Sequence, residues 1–303
     1  MITRSKAKKL ESPTIETYSN KKQKVQNRIS PIYPNTSYHN SPDTLVELLN
    51  NTFRTLTLSS NDASTSFWKI SNIEELHKED KKLLQRNKKQ ICEASGQIES
   101  IPFFADIQDI ESIQGKKLVT SAIINMYANH VQNVTSKREY IILNSELYYA
   151  FVEAVENGED LEGFKDGYLK VLKGNLGNKK IILPINLDNE HWIFSMFVPK
   201  EKKIYVLDPY GDVNEDVFNY LNLLWSLQDY KPDIIYEPVY HQDNLPKQPS
   251  NDTTSCGVFT SMYIAYLLYK DEFPTKDDFT SRDIPKIRKY IFNIIINNIC
   301  KFT

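Results

Sequence analysis

Cysteine is scarce in this chain, three in 303 residues: Cys92, Cys256 and Cys300. That is too few for a disulfide framework and points to a reducing compartment, cytoplasm or nucleus. Long apolar runs are missing too. No stretch reaches the roughly 18 apolar residues that span a bilayer, so no membrane span is expected. The first 30 residues carry eight Lys/Arg against two Asp/Glu and no apolar run, which is not the pattern of a secretory signal peptide. A net charge of −2 gives no general argument for nucleic acid as a partner. There is no CxxC pair, no HExxH, no GxxxxGKS/T and no GxGxxG, so metal and nucleotide cofactors have no support and none is expected. No internal repeat is found, and no histidine follows Cys256.

The apolar share, 40%, is low, and much of the deficit lies in the N-terminal third. Residues 1–40 are charged, contain Ser, Asn and Pro, and lack periodicity, which predicts a disordered basic tail. Its clusters at Lys6 to Lys9 and Lys21 to Lys24 suit a solvated tail, a nuclear signal or an acidic surface. Residues 41–98 read as a helical extension. Ser41-Pro42-Asp43 can cap a short helix, and Ser71-x-x-Glu74 resembles a capping box for a longer charged helix ending near Gly96. From 99 to 303 the pattern changes. Helices are expected at Leu118 to His130, Ser145 to Glu156, Asn214 to Gln228, Cys256 to Tyr269 and Asp283 to Cys300. Strands are expected at Lys180 to Ile185, His191 to Val198, Lys203 to Asp208 and Ile234 to Val239. Mixed elements without a βαβ repeat predict an α+β domain with a mixed sheet flanked by helices.

The chemistry gathers around Cys256. The polar run Gln248 to Ser255 delivers this cysteine to the first turn of an apolar helix. Free peptide N–H groups and the positive end of the helix dipole there favour thiolate. His191-Trp192 opens an apolar run upstream, and Asp208 closes the next one. Together they suggest a nucleophile (Cys256), a base (His191), an orienting carboxylate (Asp208) and an amide for the oxyanion (Gln248). The order His, Asp, Gln, Cys excludes a papain-like arrangement. His241, in a loop near the cysteine, is the rival base; His39 and His77 lie in polar sequence and His130 ends a helix. Asp212 competes with Asp208 but lies beyond the Asp208-Pro209-Tyr210-Gly211 turn. The plain alternative for Cys256 is an inert core cysteine, as expected for Cys300; Cys92 reads as incidental.

These residues are similar to the pattern of the Ulp/SENP-type cysteine peptidases, in the clan that also holds adenovirus protease and the YopJ-type effectors. The pattern is His-Trp, an Asp ending the following strand, Gln, then Cys-Gly opening a helix. Here it reads His191-Trp192, Asp208, Gln248, Cys256-Gly257. Ile123 to Tyr127 and Asp283 to Arg288 resemble two flanking helices of the family. The resemblance covers roughly residues 100–303. It implies the Ulp/adenain-like fold and removal of ubiquitin or a SUMO-type modifier from lysine, with Trp192, which as a strand aromatic also reads as core, walling a Gly-Gly channel. The implied partners are that modifier and its conjugates, met by a monomer. Three departures stand out. Gln248 lies eight residues before Cys256, a longer loop than usual; Ser255 replaces a common acidic residue; and Leu118-Val119-Thr120-Ser121 replaces the family's Trp-Leu-Asn-Asp. The divergent N-terminus and altered loop lean towards a bacterial effector acting in a host cell, and hence ubiquitin ahead of SUMO. A YopJ-type acetyltransferase, needing acetyl-CoA and an inositol phosphate site, and an inactive binding module are the alternatives. Asp as the third member and Trp after the histidine favour the peptidase.

Overall fold

The computed structural model describes residues 67–68, 94–98, 101–105, 107–169, 172, 176, 178–229 and 236–299. The tail at 1–40, the helix expected from Ser41, Cys92 and Cys300 lie outside them. Two strands open the described chain, β1 (Ala94–Ile98) and β2 (Ile101–Ala105), paired antiparallel. β1 occupies the place where the charged helix was expected to end, near Gly96; the rest of that helix lies outside the described residues.

Next come α1 (Ile107–Ser112), α2 (Ser121–Thr135), β3 (Tyr140–Ile142), α3 (Glu146–Asn157), α4 (Leu161–Tyr168), β4 (Lys180–Leu187), β5 (His191–Val198) and β6 (Lys203–Leu207). α5 (Glu215–Asp229), β7 (Glu237–Val239), α6 (Cys256–Lys270) and α7 (Ile284–Ile299) complete the order. α2 starts three residues later than expected: ahead of it the Thr120 N–H donates to Ser112 Oγ at 3.2 Å and the Val119 carbonyl accepts from Trp192. The sheet runs β3-β4-β5-β6-β7, with its outer pairs parallel and its inner pairs antiparallel. It is the mixed sheet of an α+β domain. Pro238 sits on the edge strand β7, where a missing N–H costs no ladder bond. Pro184 lies on β4 beyond the last residue that β3 pairs, Ile182, so it too is at a free edge.

Two cores form, one on each sheet face. Strand β5 shows why: Trp192, Phe194, Met196 and Val198 enter one core, while Ile193 and Phe197 enter the other. A strand covered on both faces is apolar throughout, and alternate residues serve opposite layers. The first core packs α2, α6 and α7; the second packs α3, α4 and α5. Helix α6 is buried at every residue from Cys256 to Leu268. Phe67 and Trp68 also join the first core. Trp68 Nε1 donates to the Tyr266 hydroxyl at 3.3 Å, and Phe67 packs on Tyr266 and Tyr269. Among the described residues no helix is long and apolar enough to cross a membrane.

Candidate active site

The sheet places His191 and Asp208 side by side. β4 turns into β5 through Asp188 and Asn189, both at positive φ, 53° and 61°, which Asp and Asn tolerate better than most residues. The Glu190 N–H donates to the Leu187 carbonyl at 2.9 Å, closing the turn, and His191 is the first residue of β5. On β6, Leu207 pairs with Phe194, so Asp208 follows at the same end of the sheet. A tight turn then reverses the chain. The Gly211 N–H donates to the Asp208 carbonyl at 2.8 Å, with Gly211 at φ 88°.

His191 Nε2 lies 2.9 Å from Asp208 Oδ1. Asp208 is almost fully buried, its side chain 3% exposed. Its Oδ1 also accepts the Tyr210 N–H at 2.8 Å, and its Oδ2 accepts from Asn214 Nδ2 at 2.9 Å. The carboxylate is thus fixed at both oxygens. The other face of the site is the start of α6. Cys256 is 1% exposed, its thiol lies 4.0 Å from the Glu190 carbonyl, and it is close enough to the His191 ring to shift the imidazole's titration. With Nε2 committed to Asp208, Nδ1 is the ring atom left for sulfur. Burial alone would lower the imidazole's pKa. Hydrogen bonds to Asp208 and Cys256, and the negative charge of both, outweigh burial and raise it to about 9.

Gly257 follows Cys256 for a steric reason. A Cβ there would sit 2.9 Å from Trp192 Cδ1, 2.9 Å from Val119 Cβ and 3.3 Å from Ile124 Cδ1. Trp192 itself is 2% exposed, with Nε1 donating to the Val119 carbonyl at 2.7 Å. It packs as a core residue beneath the 118–119 segment, while Leu118 above is 38% exposed.

Gln248 is buried next to the same turn. Its N–H donates to the Pro209 carbonyl at 2.8 Å, and its Nε2 donates to the Asp252 carbonyl and, at 3.2 Å, to the Tyr210 hydroxyl. Its Oε1 is buried without a hydrogen-bond partner. The loop is anchored to α6 by the Tyr263 hydroxyl, which donates to the Pro246 carbonyl at 2.5 Å.

Of the residues expected from sequence, His191 and Asp208 are hydrogen-bonded, Cys256 lies beside the His191 ring, and Gln248 is linked to Asp208 through Tyr210. His241 and Asp212 are both exposed. Sequence reasoning missed two members. Tyr210 stacks on His191, ring centroids 5.1 Å apart and planes inclined by 17°, and its hydroxyl donates to the Asp252 carbonyl at 2.7 Å. Asn214 holds the second carboxylate oxygen. Both lie within six residues of Asp208, in a turn whose tightness was the available signal.

Three comparisons bear on this site. No curated protein sequence matches the chain. Among solved structures, the Chaetomium thermophilum Ulp1-like SUMO protease catalytic domain superposes with a TM-score of 0.56 at 20% identity, covering 74% of this chain and 89% of that one. The SUMO protease Ulp1 with its catalytic cysteine oxidized to a sulfenic acid gives 0.55 at 19% identity, covering 74% and 95%. The C-terminal Ulp1 protease domain in complex with Smt3, the yeast ortholog of SUMO, gives 0.54 at 22%, covering 75% and 98%. At these identities the likeness is one of fold. Residues 117–299 match the C-terminal catalytic domain of the Ulp1 protease family, well over half of the chain. The chain belongs to the Ulp1 protease family and is a cysteine peptidase.

Proposed function

We propose that the protein is a cysteine isopeptidase that releases a ubiquitin-like modifier from lysine side chains, with Cys256 as nucleophile, His191 as base and Asp208 as the group that orients it. The observation that carries this is the Asp208–His191 pair, with the carboxylate fixed on both oxygens, set beside Cys256 at the first turn of α6. His191 takes the thiol proton, and the sulfur attacks the carbonyl carbon of the modifier's last residue. The resulting oxyanion is met by the Cys256 N–H, at the unpaired start of a helix, and by Gln248 Nε2. Gln248 gives one of its loop acceptors up to do so. The tetrahedral adduct collapses, His191 returns the proton to the departing lysine amine, and water then hydrolyses the thioester by the reverse sequence.

Burial supports the substrate class. The sulfur is nearly covered and His191 is 21% exposed, so access favours an extended tail without side chains. A terminal Gly-Gly has that shape. On this reading the tail meets Leu118, which is exposed near Cys256, while Trp192, a core residue, supports that segment from behind through the Val119 carbonyl. The relatives described above are SUMO proteases, which sets SUMO ahead of ubiquitin for this chain, in reverse of the order that the effector-like features suggested. A thiol nucleophile fits a reducing compartment.

The test is labelling and turnover. Ubiquitin and SUMO carrying C-terminal electrophiles, offered together at equal concentration, should label wild type at Cys256, SUMO first. Cys256→Ala should lose all turnover while staying folded. His191→Ala should lose roughly 10²–10⁴-fold in rate, and His241→Ala little. Full turnover by Cys256→Ala sinks the mechanism; absence of labelling by either modifier, together with acetyl transfer from acetyl-CoA, sinks the peptidase role for these residues.

A further inference from the structure

Arg288, on the second turn of α7, is 4% exposed, and its guanidinium is directed at four backbone carbonyls. Nη1 donates to Ser112 and Ile113 at 3.4 and 3.5 Å, and Nη2 donates to Lys117 at 2.9 Å and Thr254 at 2.6 Å. These carbonyls belong to two segments that meet at the site. Lys117 lies two residues before Val119, whose carbonyl holds Trp192. Thr254 lies two residues before Cys256. Between the segments is an open pocket of about 740 Å³, lined by Gly115, Lys116, Asn251, Thr253 and Pro285 among others. Gly257 packs against Val119 on the far side of the segments, but on the pocket side no apolar packing holds their backbones together. A planar fork with several donors in fixed directions does, and a buried guanidinium whose donors are spent on carbonyls resists sliding because each lost bond leaves charge unsolvated.

Resting on the isopeptidase reading above, we infer that Arg288 is a positioning residue for it: by clamping the Thr254 and Lys117 carbonyls together, it sets the Cys256 N–H and sulfur relative to the Val119–Trp192 pair. It touches neither nucleophile nor substrate. Its effect lies on the geometry of attack and of the oxyanion site, so it belongs to kcat more than to KM.

The experiment compares wild type, Arg288→Met and Arg288→Lys on the SUMO or ubiquitin aminocoumarin amide that wild type cleaves. Circular dichroism monitors folding. Titration with the matching C-terminal electrophile fixes the active fraction, so rates are expressed per competent site. Arg288→Met should lower kcat per site about 100-fold, the scale on which a misplacement of about 1 Å acts, with KM within about threefold. Arg288→Lys keeps the charge but offers a compact ammonium in place of the fork, and should recover part of that loss, leaving about a tenfold deficit. A role in folding alone would lower the melting temperature and the active fraction while leaving kcat per site unchanged, and that result overturns the inference. Should Arg288→Met fail to fold, Arg288→Lys decides: a per-site kcat equal to wild type overturns it. Loss of turnover on Cys256→Ala beside unaffected Arg288 variants removes Arg288 alone. A wild type that neither cleaves nor labels removes the isopeptidase reading and this inference with it.

Discussion

Gly257→Ala adds one methyl group at the most crowded point of the site, and its consequences separate stability from activity. The new Cβ would lie 2.9 Å from Trp192 and from Val119. Ordinary contact begins several tenths of an ångström further out, so a neighbour must move. Trp192 and Val119 are joined by the 2.7 Å hydrogen bond from Nε1 to the Val119 carbonyl, so neither yields alone. The third neighbour, Ile124, belongs to α2, which packs on α6 in the first core. Overpacking of this kind costs about 1–3 kcal/mol. Replacing glycine by alanine in a helix returns up to about 1 kcal/mol, less at a helix end. The return offsets only part of the cost, so the net loss is about 1–2 kcal/mol and the protein folds. Activity has no such offset. The strain is relieved by displacing the first turn of α6, which carries the sulfur relative to His191, and a shift of this kind is expected to cost about 10–100-fold in kcat. Urea denaturation followed by tryptophan fluorescence measures the first quantity, and turnover per electrophile-titrated site measures the second. A Gly257→Ala protein as stable and as active as wild type would refute the steric account of the Cys-Gly pair.

Four further outcomes are expected. Asn214→Ala leaves Asp208 Oδ2 without its side-chain donor and should destabilise the fold by about 1–3 kcal/mol and slow turnover; urea midpoints and rates identical to wild type would contradict that. Trp68→Ala should cost about 3–5 kcal/mol in chemical denaturation with kcat per site unchanged, and a chain starting at residue 70 should be less stable than one starting at residue 65. For pH, His191 binds its proton more tightly when folded, its pKa being raised from 6.5 to about 9. Its contribution to stability is therefore complete below the unfolded value and fades as pH climbs towards 9; between those limits wild type should lose up to about 3 kcal/mol more than His191→Gln, and parallel losses would exclude the effect.

The sequence spoke clearly where one residue type serves one physical purpose. Strand β5 was legible because six of the seven residues after His191 are apolar, and α6 because a polar loop runs straight into an apolar helix. Helix α4 was not read, since Gly163 and Gly167 dilute its helix propensity over only eight residues; its stability comes from the Asp160 cap on the Glu162 and Gly163 N–H groups and from Phe164 packing on Phe151. Strand β3, three residues long, carries no periodicity to detect. The order of the candidate residues His191, Asp208 and Cys256 could be read along the chain, but their supports could not. Asn214 and Tyr210 owe their roles to the turn after Asp208. The burial of Trp192 with its Nε1 satisfied depends on Val119 offering a carbonyl, which no residue code signals. Gln248's engagement with Asp252 likewise follows from the length of its loop, legible as a departure but not as a contact.

The complete burial of α6 has a consequence for how this enzyme fails. A helix covered along every face has no local opening that frees it; its amides are expected to exchange hydrogen only when the whole domain comes apart. The candidate nucleophile is its first residue. Loss of function on heating should then coincide with the global transition rather than precede it through a loosened site, and the working lifetime of the enzyme becomes the unfolding rate of its core.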